Sequence, residues 1–91
     1  MSMYRHRFYT EDKRHTSEFS NDVDKFLCEW FPMGCTITNA EGVWHGGTEM
    51  SMIIEVLDTE DDHTKFAEAL KEFNKQETVL YTKEEVGFEF I

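Results

Sequence analysis

Basic residues are scarce in this sequence: nine Lys and Arg stand against 19 Asp and Glu, for a net charge of −10. A surface of that sign repels phosphates and argues against a nucleic-acid-binding role, so cationic ligands or basic proteins are the fitting partners. Cysteine is limited to Cys28 and Cys35. Two thiols without a neighbouring His pair make neither a zinc pattern nor a disulfide framework, so packed, reduced cysteines in a cytoplasmic setting are expected. Long apolar runs are missing too. The longest apolar stretch lies within Met52–Leu57, which supplies neither a signal peptide nor a membrane span. Glycine is sparse, and Gly46-Gly47 lacks the lysine and following helix of a phosphate-gripping loop.

The four histidines, His6, His15, His45 and His63, show no HxxxH or HExxH spacing. No metal and no cofactor are therefore expected, and the histidines read as structural or solvated. The acidic run Asp58–Asp62 lacks the alternating oxygens, the Gly and the terminal Glu of a calcium loop, and helix capping explains it better.

What the chain does hold is apolar payload. Hydrophobic residues make up 40% and aromatics 14%, including eight Phe, which is too much for a disordered acidic chain. Residues 1–91 form a single domain. A chain this short buries only about 60% of its unfolded surface, so its core is thin and association with further subunits is expected.

Met3–Thr10 alternates loosely and reads as a first strand whose Arg and His side chains face water or a partner. Thr16 or Ser17 caps a helix with Phe19, Val23, Phe26, Leu27 and Trp30 on one face, ended by Pro32 and Gly34. Cys35–Asn39 reads as a strand, Ala40-Glu41-Gly42 as a turn, and Val43-Trp44 leads to the glycine pair. Glu49–Leu57 is apolar on both faces toward its C-terminal half, as befits a central strand. A second helix carries Phe66, Leu70 and Phe73 and stops near Asn74. Thr78–Thr82 is a fourth strand, with a short terminal strand at Val86, Phe88 and Phe90. The order βαββαβ, with two helices on one face of an antiparallel sheet, gives an α+β, ferredoxin-like split βαβ sandwich.

Trp44, Glu49, Gln76 and Glu77 lie at the ends of elements, where sites are commonly built. If Glu77 points inward, its carboxylate needs a cation or several donors; the alternative is an exposed Glu.

These residues also carry a resemblance. Gly42-Val43-Trp44, then Glu49-Met50-Ser51, then Lys75-Gln76-Glu77-Thr78-Val79-Leu80-Tyr81 resemble the phage S-adenosylmethionine lyases, formerly called hydrolases. With Trp30 to Thr36 in front, the same arrangement is similar to an uncharacterised family of small bacterial proteins. The most specific part is the short Gln76 to Leu80 segment.

The resemblance implies a ferredoxin-like homotrimer with S-adenosylmethionine bound between subunits and cleaved to methylthioadenosine and homoserine lactone, counteracting host restriction-methylation. It needs no metal, because the substrate's own carboxylate displaces the sulfonium leaving group. By the same resemblance Glu49 and Glu77 are the catalytic carboxylates, and Trp44, Ser51, Gln76 and Tyr81 bind the ligand. Trp44 stands where the family usually has tyrosine, the Trp44–Glu49 hairpin is tighter, and the chain is shorter. Two other readings stand beside this one: an acidic anti-defence protein that covers a basic surface on a host protein, and a module that sequesters a nucleotide without turning it over.

Overall fold

Alternation along two strands decides the architecture. Along β1 (Met3–Glu11) His6, Phe8 and Thr10 are buried, and along β3 (Gly47–Asp58) so are Met52, Ile54 and Val56. Side chains on a strand point to opposite faces every second residue, so these six define one covered face. The two strands pair antiparallel with Phe8 opposite Ile54 and His6 opposite Val56. On the outer sides, β2 (Thr36–Trp44) pairs with β3 and β4 (Leu80–Val86) pairs with β1, giving the order β2-β3-β1-β4, antiparallel throughout. Helices α1 (Asp22–Trp30) and α2 (Thr64–Phe73) follow β1 and β3. The result is the ferredoxin-like split βαβ sandwich that the element order predicts. The structure is a computed structural model and describes residues 2–13 and 22–91.

The core between helices and sheet is mainly aromatic and aliphatic. Phe66 of α2 meets Phe8 edge-on at 4.7 Å between ring centroids and Phe31 at 4.6 Å. Val23 and Leu27 of α1 and Leu70 of α2 are buried beside them. Truncating a fully buried Phe such as Phe66 to Ala costs about 3–5 kcal/mol, a large share of the stability of a domain this small.

Several expectations change. The strand β2 runs straight through Ala40-Glu41-Gly42, and the chain reverses instead at His45-Gly46, both with positive φ (49° and 77°), between the paired Trp44 and Gly47. A two-residue loop of that hand matches the twist of a hairpin, which a turn three residues earlier could not do without breaking the pairing. The fourth strand starts at Leu80 and runs unbroken to Val86, whereas residues 87–91 are not in a strand. At α2 the cap position is His63, whose side chain makes no capping bond; Asp62 accepts from the Thr64 N–H (3.2 Å) and hydroxyl (2.6 Å) instead. Trp30 is 41% exposed rather than buried, and Cys28 lies on the exposed side of α1. Cys35 precedes β2 and is half-buried, which pushes its thiol up. The expected cap at Thr16 or Ser17, and Phe19, lie outside the described residues.

The arginines of β1 divide from its histidine by parity. Arg5 and Arg7 face away from the helices, where Arg7 Nε donates to Glu55 (3.0 Å) and Arg5 Nη1 to Glu84 (2.9 Å). Each pair is directly cross-strand, so the basic N-terminal segment is offset by the acidic C-terminal half across the sheet. Pairs that water still reaches, as it does these half-exposed ones, set register more than they stabilise.

His6 does the reverse of what the sequence implied: it is 0% exposed beneath the helices. Its Nε2 lies 2.8 Å from the Glu60 carbonyl, so that nitrogen carries the proton. Its Nδ1 accepts from the Tyr81 hydroxyl at 2.7 Å, whose oxygen in turn accepts from the His63 N–H at 3.0 Å. Burial holds the His6 imidazole below its ordinary value of 6.5, against the opposing pull of the Glu60 carbonyl and Asp58. A base whose folded value is depressed takes up its proton first in the unfolded chain, so its contribution to stability is full above pH 6.5 and falls as the pH drops toward the folded value. NMR titration of the ring protons should therefore place the His6 midpoint below 6.5, and a midpoint at or above that value contradicts the burial argument.

Candidate functional site

The end of α2 sets the position of one side chain on the other face. Asn74 ends the helix; the Lys75 N–H bonds to the Glu72 carbonyl (3.2 Å) and the Gln76 N–H to the Lys71 carbonyl (3.0 Å). This is the paired closure of a helix C-terminus that needs a left-handed residue after the cap, and Lys75 supplies it at φ 52°. Gln76 is thereby aimed at the end of β1. Its side-chain oxygen accepts from the Glu11 N–H (3.2 Å), from Asn74 Nδ2 (2.7 Å) and from the Thr10 hydroxyl. With that oxygen committed, the amide NH2 is what Gln76 can offer a ligand.

Beside it the open face of the sheet is hollow. Gly42 pairs with Glu49, while Ser51 pairs with Ala40 on one side and Glu11 on the other. Three small residues in adjacent positions leave a depression, and larger ones, Trp44, Tyr9, Ile53 and Leu80, bound it. The resulting groove measures about 510 Å³, within the range of small-molecule sites. Gly42 is needed there for space: a Cβ on it would lie 2.8 Å from Ser51 Oγ and 3.2 Å from Glu49 Cγ. The floor is mostly apolar, and Glu11 and Glu49 carry negative charge at its edge. No Lys or Arg among the described residues lines it.

Trp44, Glu49, Ser51 and Gln76 all line this groove. Glu77 does not. It is exposed, precedes β4, and borders an adjoining hollow of about 380 Å³ together with Trp44, Glu49 and Gln76. Tyr81 is not brought there at all. It pairs with Phe8 and stacks on it at 4.8 Å, on the face that the helices cover. Glu77 and Tyr81 share a separate depression of about 300 Å³ against α2. Alternation explains the split: Leu80 falls on the groove face and Tyr81 on the other.

Sequence reading did not name Tyr9, Thr10 or Glu11, because their place beside Gln76 depends on tertiary register that no local spacing reports. Nor did it find the one His/Asp cluster with metal-ligand proximity among the described residues, His6, Asp58 and His63, which lies on the helix face and outside the groove.

No family model matches the chain, and no curated protein does. Solved structures do match. In fold, the chain is similar to a phage SAM lyase. That structure, of the apo state, aligns with a TM-score of 0.63 and 21% identity, covering 92% of this chain and 81% of the other. CPII, a nitrogen regulatory PII-like protein from Thiomonas intermedia K12 bound to ADP, AMP and bicarbonate, aligns with a TM-score of 0.61 and 15% identity over 99% and 98%. At these identities the likeness establishes the fold. No helix among the described residues is long and apolar enough to cross a membrane.

The left-handed conformation at Lys75 carries a measurable strain, since it brings Cβ close to the following carbonyl. Replacing Lys75 with Gly should raise stability by about 0.5–1 kcal/mol in urea denaturation. A loss of similar size would show that the helix ends differently.

Proposed function

We propose that the protein is an S-adenosylmethionine lyase-like enzyme acting in the groove around Trp44, Glu49 and Gln76, as a homotrimer whose neighbouring subunit closes the site. The observation that carries this reading is the lining of the groove: an aromatic ring, carboxylates at the rim, an apolar floor, and no Lys or Arg among the described residues. Such a surface selects a cation that carries a planar base and refuses a simple anion. The fold shared with a phage SAM lyase adds support.

The chemistry suits that lining. The substrate's carboxylate oxygen bonds to its own γ-carbon, the γ-carbon–sulfur bond breaks, and the electron pair stays on sulfur. The products are homoserine lactone and neutral methylthioadenosine, so atoms and charge balance without water or a protein nucleophile. A negative and a positive charge cancel along this path, and an apolar site favours the less charged transition state over the ground state. A carboxylate set directly on the sulfonium would hold back the reaction, because its attraction weakens as the charge disappears.

Glu49 and Glu11 therefore act on the α-ammonium, whose charge does not change, with Glu77 adding negative potential from the neighbouring hollow. Trp44 stacks the adenine and the Gln76 amide bonds its edge. The absence of Lys and Arg from the described lining leaves the substrate carboxylate unpaired and free to attack. Ser51 donates to the ribose or the carboxylate across the hollow that Gly42 leaves open. Tyr81, turned to the other face, acts on the site only through the packing of β4. In a host cytoplasm such an activity would deplete the methyl donor that restriction-methylation systems use.

A second reading rests on the likeness to CPII, whose structure holds ADP and AMP: the groove binds an adenine nucleotide and releases it unchanged.

Incubation of the purified protein with S-adenosylmethionine should yield methylthioadenosine and homoserine lactone by NMR. Glu49→Gln should lower kcat/KM about 10- to 100-fold, the loss expected when a charged hydrogen bond is removed, and Glu77→Gln by less. Substrate recovered intact at high protein concentration sinks the enzyme reading in favour of the binding module.

A further inference from the structure

Three elements of the helix face converge on one carboxylate. His6 comes from the middle of β1, Asp58 ends β3, and His63 immediately precedes α2. His63 Nε2 lies 2.8 Å from Asp58 Oδ2, and His6 Nε2 lies 3.2 Å from Asp58 Oδ1, so each imidazole addresses its own oxygen. The two rings meet edge-on with centroids 4.3 Å apart, and the ligating atoms of all three residues lie within 4.8 Å of one another.

We propose that His6, Asp58 and His63 form a binding site for a borderline divalent transition-metal ion such as Zn2+ or Co2+. Tetrahedral ligands about 2.1 Å from zinc stand about 3.4 Å apart, so the observed separations need only small side-chain adjustments to admit an ion. Two imidazoles and one carboxylate suit Zn2+ or Co2+, and disfavour Mg2+ or Ca2+, which take oxygen ligands.

The surroundings are built for a ligand rather than for three loose side chains. His6 is completely buried, and the Tyr81 hydroxyl at its Nδ1 holds the ring with Nε2 facing the Glu60 carbonyl at 2.8 Å and Asp58 Oδ1 at 3.2 Å. A partner of this kind on the far nitrogen is what orients a metal-bound imidazole. On binding, His6 exchanges its Nε2 proton for one on Nδ1, which then donates to Tyr81. The Glu60 carbonyl, 2.8 Å from the same Nε2, is close enough to become a fourth donor. The side chains of Asp58 and His63 are 32% and 15% exposed, which gives an ion its way in. An ion held here ties the β3–α2 connection to the central strand. The site stands on the opposite face from the groove and is independent of the reaction proposed for it.

Cobalt titration of the metal-free, full-length protein tests the proposal. Expected is one equivalent of Co2+, with the intense visible bands of a four-coordinate site, displaced by Zn2+ and accompanied by large paramagnetic shifts of the His6 and His63 ring protons. His63→Gln and Asp58→Asn, checked for folding by circular dichroism, should bind about 100-fold more weakly or worse, and Tyr81→Phe, as a positioning change, about tenfold more weakly. His45→Gln should bind as the parent does. No binding at about 100 µM Co2+, unchanged affinity in His63→Gln, or shifts confined to the His45 ring each overturn the assignment and leave a hydrogen-bonded cluster. The ring shifts are read in the parent protein, so the outcome does not depend on any variant folding.

Discussion

The structure depends on the two-residue alternation of β1 and β3 at the centre of the sheet. One residue of slip in either strand would exchange its two faces, placing Arg5 and Arg7, or Ser51 and Glu55, under the helices and Phe8 or Ile54 in solvent. Burying unpaired guanidinium or carboxylate groups is far more costly than any local propensity can repay, so the register is fixed. That one constraint sorts the chemistry. His6, with Tyr81 and His63, falls on the helix side; Tyr9, Glu11, Glu49 and Ser51 fall on the open side, where the groove is.

The same rule shows how much the sequence could say. Element order, the central place of Glu49–Leu57 and the faces of α2 were legible, because burial leaves a period of two or 3.6 in the residues themselves. The Trp44–Glu49 hairpin was legible, but a turn was misplaced at Ala40-Glu41-Gly42, since Gly42 looks like a turn residue. Its real role is to make room for Ser51 and Glu49 on a neighbouring strand, a demand invisible from its own chain segment. His6 was misplaced for a similar reason: a polar side chain in a half-alternating strand reads as solvent-facing until its partners Tyr81 and Glu60 are known.

At the site, sequence adjacency was a partial guide. Trp44, Glu49 and Gln76, placed at element ends, line one groove together with Ser51. Glu77 and Tyr81, next to Gln76 and Leu80 in sequence, are diverted: one stays in an exposed loop and the other is carried to the opposite face by pleat parity. What holds Gln76 in place is the left-handed Lys75 together with the hydrogen bonds of Asn74, Thr10 and Glu11. In the proposed reaction such pinning would help, since a polar group fixed at the rim need not reorganise. The acidic balance of the chain fits the same logic in a milder way, favouring approach of a cationic ligand.

On the proposed function the open-face groove, and not the depression beneath Tyr81, is where an adenine-bearing cation binds. Titration of 15N-labelled protein with sinefungin, a cationic S-adenosylmethionine analogue that lacks the sulfonium and is not cleaved, reads this residue by residue. Binding in the groove should concentrate the shifts at the Trp44 indole N–H, the Gln76 side-chain amide and the backbone of Gly42 and Ser51. Shifts centred instead on Thr64, Ala67 and Lys71, or none at saturating ligand, would contradict it.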